Sequence, residues 1–175
     1  QPVIDPASLY FAVSQSGETA DTLAAVKEIQ LKGGTVMGVV NVVGSTIARS
    51  CGRGAYIHSG PEQAVASTKA FSNMVAALSV FALQIGRART ATLTEGRAFA
   101  RALSAIPDQV EGWLAADHPI ASAVEMVKDA KTVLFLGRGP SAAVAREGAL
   151  KLMEVAYIPC LAYPAAEMKH GPIAL

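Results

Sequence analysis

The hydrophobic pattern changes period several times along the chain, and each change marks an element. "LYFAV" (9–13), "TVMGVVN" (35–41), "AYIHS" (55–59), "TVLFLG" (132–137) and "IPCLAY" (158–163) are short apolar runs bounded by turn residues. Runs of that kind are expected of strands buried on both faces. Between them the period becomes helical. Leu23, Val26 and Ile29 recur along 19–32, a pattern stopped by Gly33-Gly34. "GSTIARSC" predicts a short helix with Ser45 as cap, residues 69–87 a long apolar helix, and 141–156 another. The stretch from about 90 to 130 shows no strand pattern and reads as helices around "EGRAFARALSAI", "PDQVEGWLAA" and "PIASAVEMVKDA", with Trp113 as a packing residue.

Strands alternating with helices predict parallel βαβ units with helices on both faces of the sheet. Sheets of this class bind ligands beyond the carboxyl ends of their strands. Two tracts lie at such ends: "SQSGET" (14–19) and "SGPEQAVASTK" (59–69).

Composition narrows the field. Of 175 residues, 51% are hydrophobic and 17% charged, which excludes a disordered chain and implies large buried surfaces or a subunit interface. A net charge of +1 with scattered basic residues gives no electrostatic case for nucleic acid. The longest apolar run, "MVAALSVFALQIG", is shorter than the ~20 residues of a membrane span and reads as a buried helix. There is no signal-peptide pattern. Cys51 and Cys160 lack metal-ligand spacing and are too few for a disulfide framework, so free thiols and a cytoplasmic protein are expected. His58, His118 and His170 stand far apart, and no metal site is expected from them. The chain opens without methionine and ends on an apolar run, as an excerpt of a longer protein would.

The chemistry is concentrated in four places. In "SQSGET" a strand gives way to a helix, whose first turn carries unpaired N–H groups and the positive end of the dipole. Gly17 lets the backbone approach an anion, and Ser14, Ser16 and Thr19 add hydroxyls, together suiting a phosphate monoester. The competing reading is that Ser16 merely caps the helix. In "AVASTK", Ser67 is either an N-cap or a ligand group. Glu147, Lys151 and Glu154 fall at i, i+4 and i+7 on one face of a mostly apolar helix. That stripe is either a solvated ion-pair row or a set of charges delivered to a cleft, where a carboxylate can shuttle protons. "AAEMKHGP" places Glu167, Lys169 and His170 together, as a surface turn or as a proton-transfer group.

Taken in order, "SQSGETADT", "VASTKAF", "LGRG", "EGALKLMEVAYI" and "AAEMKHGP" resemble the sugar isomerase (SIS) domains of the glutamine–fructose-6-phosphate aminotransferase family, the glucosamine-6-phosphate synthases. The resemblance covers most of the chain and is weakest at about 88–130. It implies an α/β fold of flavodoxin-like parallel sheets, in parts of two tandem lobes. Residues 1–90 would be the second half of one lobe, 91–131 a helical connection and 132–175 the first half of the next. It implies that Ser14, Gln15, Ser16 and Thr19 bind the sugar phosphate, and that Val65, through its backbone, and Ser67 contact the sugar. Glu154 would move the proton between C1 and C2 with Lys151 beside it, and His170, from a neighbouring subunit, would assist ring opening. A homodimer or larger assembly with a shared site follows, with hexose 6-phosphate as ligand and no cofactor. The family's glutaminase domain, its Gly-Thr-Ser loop and its C-terminal lysine tail have no counterpart in these 175 residues, so the chain alone is expected to be inactive. "YPAAEMKHG" departs from the synthase pattern, and related deaminases also carry "AAE" here. An amino-sugar-phosphate deaminase or isomerase, and a non-catalytic sugar-phosphate sensor, therefore stay open as alternatives.

Overall fold

The computed structural model describes residues 2–174. They form two compact units. The first takes the residues up to Gln63 together with Ser67–Glu111, and the second Ala64–Ala66 together with the residues from Gly112 on.

In the first unit, β1 (Leu9–Ser14), β2 (Thr35–Val40) and β3 (Gly54–Tyr56) form a parallel sheet in the order β1-β2-β3. Leu9 pairs with Thr35 and Ser14 with Val40, so the carboxyl ends of β1 and β2 lie level. The central strand is the most apolar, and Val36, Val39 and Val40 are buried. A parallel strand flanked on both sides has no wet face, hence its continuous rather than alternating hydrophobicity. Helix α1 (Ala20–Leu31) sets Val26 into a core with Ala12, Val36, Val40, Ile47 and Cys51, and packs Leu23 and Ile29 against it. Those three side chains are the helical-period residues of the sequence. The helix stops at Lys32, followed by Gly33 in the left-handed conformation (φ 81°). Helix α2 (Thr46–Cys51) covers β2.

Strand β3 is shorter than the five residues expected, because His58 adopts φ 47° and turns the chain out of the ladder. The long helix α3 (Lys69–Arg89) packs Phe81 against Phe11 of β1, ring centres 5.1 Å apart. At 21 residues, with an 18-residue window of mean hydropathy 1.2, it reaches the length and composition of a membrane span. It is longer than its apolar run indicates because polar residues flank that run within the helix. Helix α4 (Leu93–Ser104) starts at Thr92 with a full capping box to Glu95. It is followed by α5 (Ile106–Ala115).

In the second unit, β4 (Val133–Gly137) and β5 (Cys160–Pro164) are parallel neighbours, joined through α7 (Pro140–Ala156), with α6 (Ile120–Val127) preceding them. Trp113 stacks on His118 at 4.0 Å between ring centres. Cys51 and Cys160 are both free and buried, and burial raises the pKa of Cys51.

Candidate functional site

The "SQSGET" loop links β1 to α1. Thr19 occupies the N-cap position in extended conformation, and its side chain makes no cap hydrogen bond. Ser16, the residue that a simple capping role would require, instead accepts the Glu18 N–H at 3.2 Å. The Oγ of the buried Ser14 accepts the Gly17 N–H at 3.0 Å and lies 3.0 Å from Thr19 Oγ1. The loop's hydroxyls thus organise the loop itself and leave the start of α1 without a side-chain cap. An uncapped first turn is the arrangement that takes an anion.

Two further residues shape the loop. Glu18 would set a negative charge beside a bound anion, but its Oε1 accepts the Thr46 N–H at 2.8 Å. Hydrogen bonds from Thr46 and the charge of Arg49 hold its carboxyl below the usual glutamate range. The acid is therefore drawn towards α2. Ser45 stands at the N-cap of α2, as expected, yet its side chain caps nothing. It is buried, and its Oγ is the one buried side-chain polar atom without a partner among the described residues. Gly17 explains its position. With φ 68°, Gly17 is in the left-handed region, and a Cβ there would stand 2.0 Å from Ser45 Oγ. The loop and α2 are in direct contact at this glycine, fastened by the Ile47 N–H donating to the Gly17 carbonyl at 2.9 Å.

A cavity of about 510 Å³ opens at the carboxyl end of this sheet, lined by Gln15, Asn41, Val42, His58, Gly60, Pro61 and Glu62. Only Gln15 among these is a site residue expected from the sequence. Asn41 holds the far wall. Its Nδ2 donates to the Gly60 carbonyl at 2.7 Å, and its Oδ1 accepts from both the amide and the hydroxyl of Ser59 at 2.9 Å. Its position immediately after β2, like that of Ser14 at the end of β1, is the sequence signal that could have found it. Asn41→Ala removes three hydrogen bonds from a buried residue and is expected to cost about 2–3 kcal/mol. Urea denaturation measures it, with protease cleavage near 58–62 reporting the freed loop. A smaller cavity of about 270 Å³ lies between β2, β3 and α2, lined by Val40, Arg49, Arg53 and Tyr56 among others.

The second tract differs from expectation. Thr68, not Ser67, is the N-cap of α3, and its side chain does not cap. The cap is supplied from six residues upstream. Glu62 Oε2 accepts the Ala70 N–H and the Ser67 hydroxyl, each at 3.2 Å. Burial would raise its pKa, but hydrogen bonds from Ala70, Ser67 and Thr68, with the charge of Lys69, hold it below the ordinary value. Val65 is 88% exposed.

In the second unit, α7 presents the charged stripe on one face. Lys151 Nζ lies 3.2 Å from Glu147 Oε1 and 3.0 Å from Glu154 Oε2, and all three side chains are about three-quarters covered. Burial pulls the Lys151 pKa down, but the two glutamates outweigh it and raise it, so the ammonium persists well above neutrality. Glu154 therefore meets its surroundings as a hydrogen-bond acceptor steadied by a fixed cation. The tract "AAEMKH" folds as a 3-10 helix, Ala165–His170, directly after β5, ended by Gly171 at φ 131°. His170 is exposed. Ser14, Gln15, Ser16, Thr19 and Ser67 thus belong to the first unit, and Val65, Lys151, Glu154 and His170 to the second. Among the described residues no three His, Cys, Asp or Glu side chains converge as metal ligands would.

Known proteins resemble this chain in sequence and in fold. A glutamine–fructose-6-phosphate aminotransferase [isomerizing] of Chlorobaculum tepidum is 48% identical over 174 residues, 99% of this chain and 28% of the relative. One of Thermus thermophilus is 47% identical over 175 residues, covering 29% of that relative. The chain thus spans under a third of the length of these relatives. Among solved structures, the C-terminal domain of glucosamine-fructose-6-phosphate aminotransferase from Francisella tularensis superposes with a TM-score of 0.94 at 38% identity, over 99% of this chain and 49% of that one. A glucosamine-6-phosphate deaminase from Thermotoga maritima shares the fold, with a TM-score of 0.72 at 23% identity. Residues 1–84 and 126–175 match the SIS domain, leaving out a helical stretch, and with parallel sheets, flanking helices and a loop at the strand ends in place, the chain belongs to the SIS domain family.

Proposed function

We propose that this chain carries the sugar-phosphate-isomerising part of a glutamine–fructose-6-phosphate aminotransferase, converting fructose 6-phosphate and glutamine-derived ammonia to glucosamine 6-phosphate. The observation that carries the reading is the uncapped start of α1, ringed by Ser14, Gln15, Ser16 and Thr19 and opening beside the cavity at the strand ends. A phosphate monoester fits there through backbone N–H groups and hydroxyls, with no basic side chain needed. Ser67 and the Val65 backbone take the sugar. Glu154 moves the proton between C1 and C2, Lys151 fixes its position, and His170 transfers a proton during ring opening.

In this reading residues 1–90 are the second half of one lobe, 91–131 a connection and 132–175 the first half of the next. The working protein is a dimer or larger, with His170 given to a neighbouring subunit's site and a glutaminase domain supplying ammonia. The "AAE" of "YPAAEMKHG" supports a second reading, an amino-sugar-phosphate deaminase.

Assaying the intact protein with fructose 6-phosphate and glutamine separates the two. Glucosamine 6-phosphate formation supports the synthase, whereas ammonia release from glucosamine 6-phosphate without glutamine-dependent synthesis supports the deaminase. The 175-residue chain alone, supplied with ammonia, is expected to give no glucosamine 6-phosphate. Turnover by it would show that the loop and tail motifs missing from this sequence are dispensable.

A further inference from the structure

Helices α1 and α3 both begin at the carboxyl end of the same three-stranded sheet, after β1 and β3 respectively. Each therefore directs the positive end of its dipole to that side. Neither is capped by its own N-cap side chain. They differ in one respect. The start of α1 holds no side-chain anion, because Glu18 is drawn off to Thr46, while the start of α3 already holds the Glu62 carboxylate.

The cavity reaches the β1–α1 loop at Gln15 and the cap of α3 at Glu62. Its lining follows the strand order, with Gln15 after β1, Asn41 and Val42 after β2, and His58 to Glu62 after β3. Two strand spacings separate its ends, about 10 Å. The helix start near one end is open to an anion, and the one near the other end already holds a carboxylate. Along the same edge, Ser67 spends its single hydroxyl proton on Glu62 and is left with lone pairs to offer.

We propose that Glu62 is a specificity-determining residue that fixes the direction of a phosphorylated ligand in this cavity. The phosphate lies at α1, and the uncharged hydroxyl-bearing end lies towards α3, where Ser67 accepts from a sugar hydroxyl. A ligand with a second phosphate at its far end is rejected by the carboxylate. This rests on the reading of "SQSGET" as a phosphate loop.

The test uses Glu62→Gln, which keeps an acceptor oxygen for Ala70 and Ser67 but removes the charge, with Glu62→Ala as a second variant. Affinities for fructose 6-phosphate and fructose 1,6-bisphosphate are measured by calorimetry, and inorganic phosphate is mapped by amide NMR shifts. In the wild type, phosphate shifts should be confined to residues 14–22, and the monophosphate should be preferred. In Glu62→Gln that preference should fall about tenfold, the scale of one partly screened charge, and phosphate should also shift residues 67–71. A Glu62 that only holds the loop would weaken both sugars together and leave their ratio unchanged, which overturns the proposal. So would phosphate shifts at 67–71 in the wild type. A wild type that binds neither sugar and shows no shifts at 14–22 removes the phosphate-loop reading itself, and the proposal with it.

Discussion

Glu154→Gln in the intact protein is expected to reduce isomerisation by roughly 10²- to 10⁴-fold, the usual contribution of a positioned general base, with hexose 6-phosphate affinity nearly unchanged. The ion-pair geometry makes this substitution a clean test of the proposed proton transfer. Glu154 is one of two carboxylates on Lys151, and the ion pair with Glu147 survives its replacement. Glutamine keeps the shape and an acceptor for the ammonium but cannot take a proton from carbon. The groups proposed to hold the phosphate lie in a different unit and are untouched. Deuterium exchange at C1 of the sugar, together with binding calorimetry, measures both halves. Unchanged exchange in Glu154→Gln would place the base elsewhere, and unchanged sensing by a protein that never exchanges deuterium would favour a binding-only role.

Gly17→Ala is expected to destabilise the protein by about 2–4 kcal/mol, combining a left-handed backbone penalty with overpacking. The two components are separable. The methyl group would stand 2.0 Å from Ser45 Oγ and 2.5 Å from Ser45 Cβ. Pairing Gly17→Ala with Ser45→Gly should therefore restore the steric part and leave the backbone part. Because the same residue shapes the turn proposed to take the phosphate, phosphate affinity should fall in the single variant and recover only partly in the double. Urea denaturation of both variants and of Ser45→Gly alone decides it. A loss below about 1 kcal/mol would mean that the loop relaxes away from α2, since surface-like substitutions fall in that range.

Much of the fold was legible because helix and strand periods differ and a strand buried on both faces is apolar throughout. Leu23, Val26 and Ile29 mark the inner face of α1 by their spacing alone, and they are the residues that α1 sets against the sheet. Helix capping was less legible, because it depends on local chemistry. Ser16, Ser45 and Ser67 each carry the residue type of a helix cap near a helix start, only Ser45 holds the N-cap position, and the side chain of none of them caps. Ser16 bonds within its own turn, Ser45 is pressed against Gly17, and Ser67 donates to Glu62. Capping preferences describe the residue next to a helix, whereas here the groups that satisfy α2 and α3 arrive from Glu18 and Glu62, 28 and 8 residues before the amides they accept from.

Three features need nothing beyond the order of residues: the alternation of strands and helices, the charged stripe of α7 and the hydroxyl-rich turn after β1. Each is a matter of neighbours along the chain, where spacing of a few residues decides the face or the turn. Three others arise only once the chain is folded: Glu18 turns from the start of α1 to Thr46, Asn41 and Glu62 build the cavity wall, and one helix start is open while another is occupied. Those outcomes depend on which strand ends lie side by side, and a parallel sheet brings together residues that the chain keeps tens of positions apart.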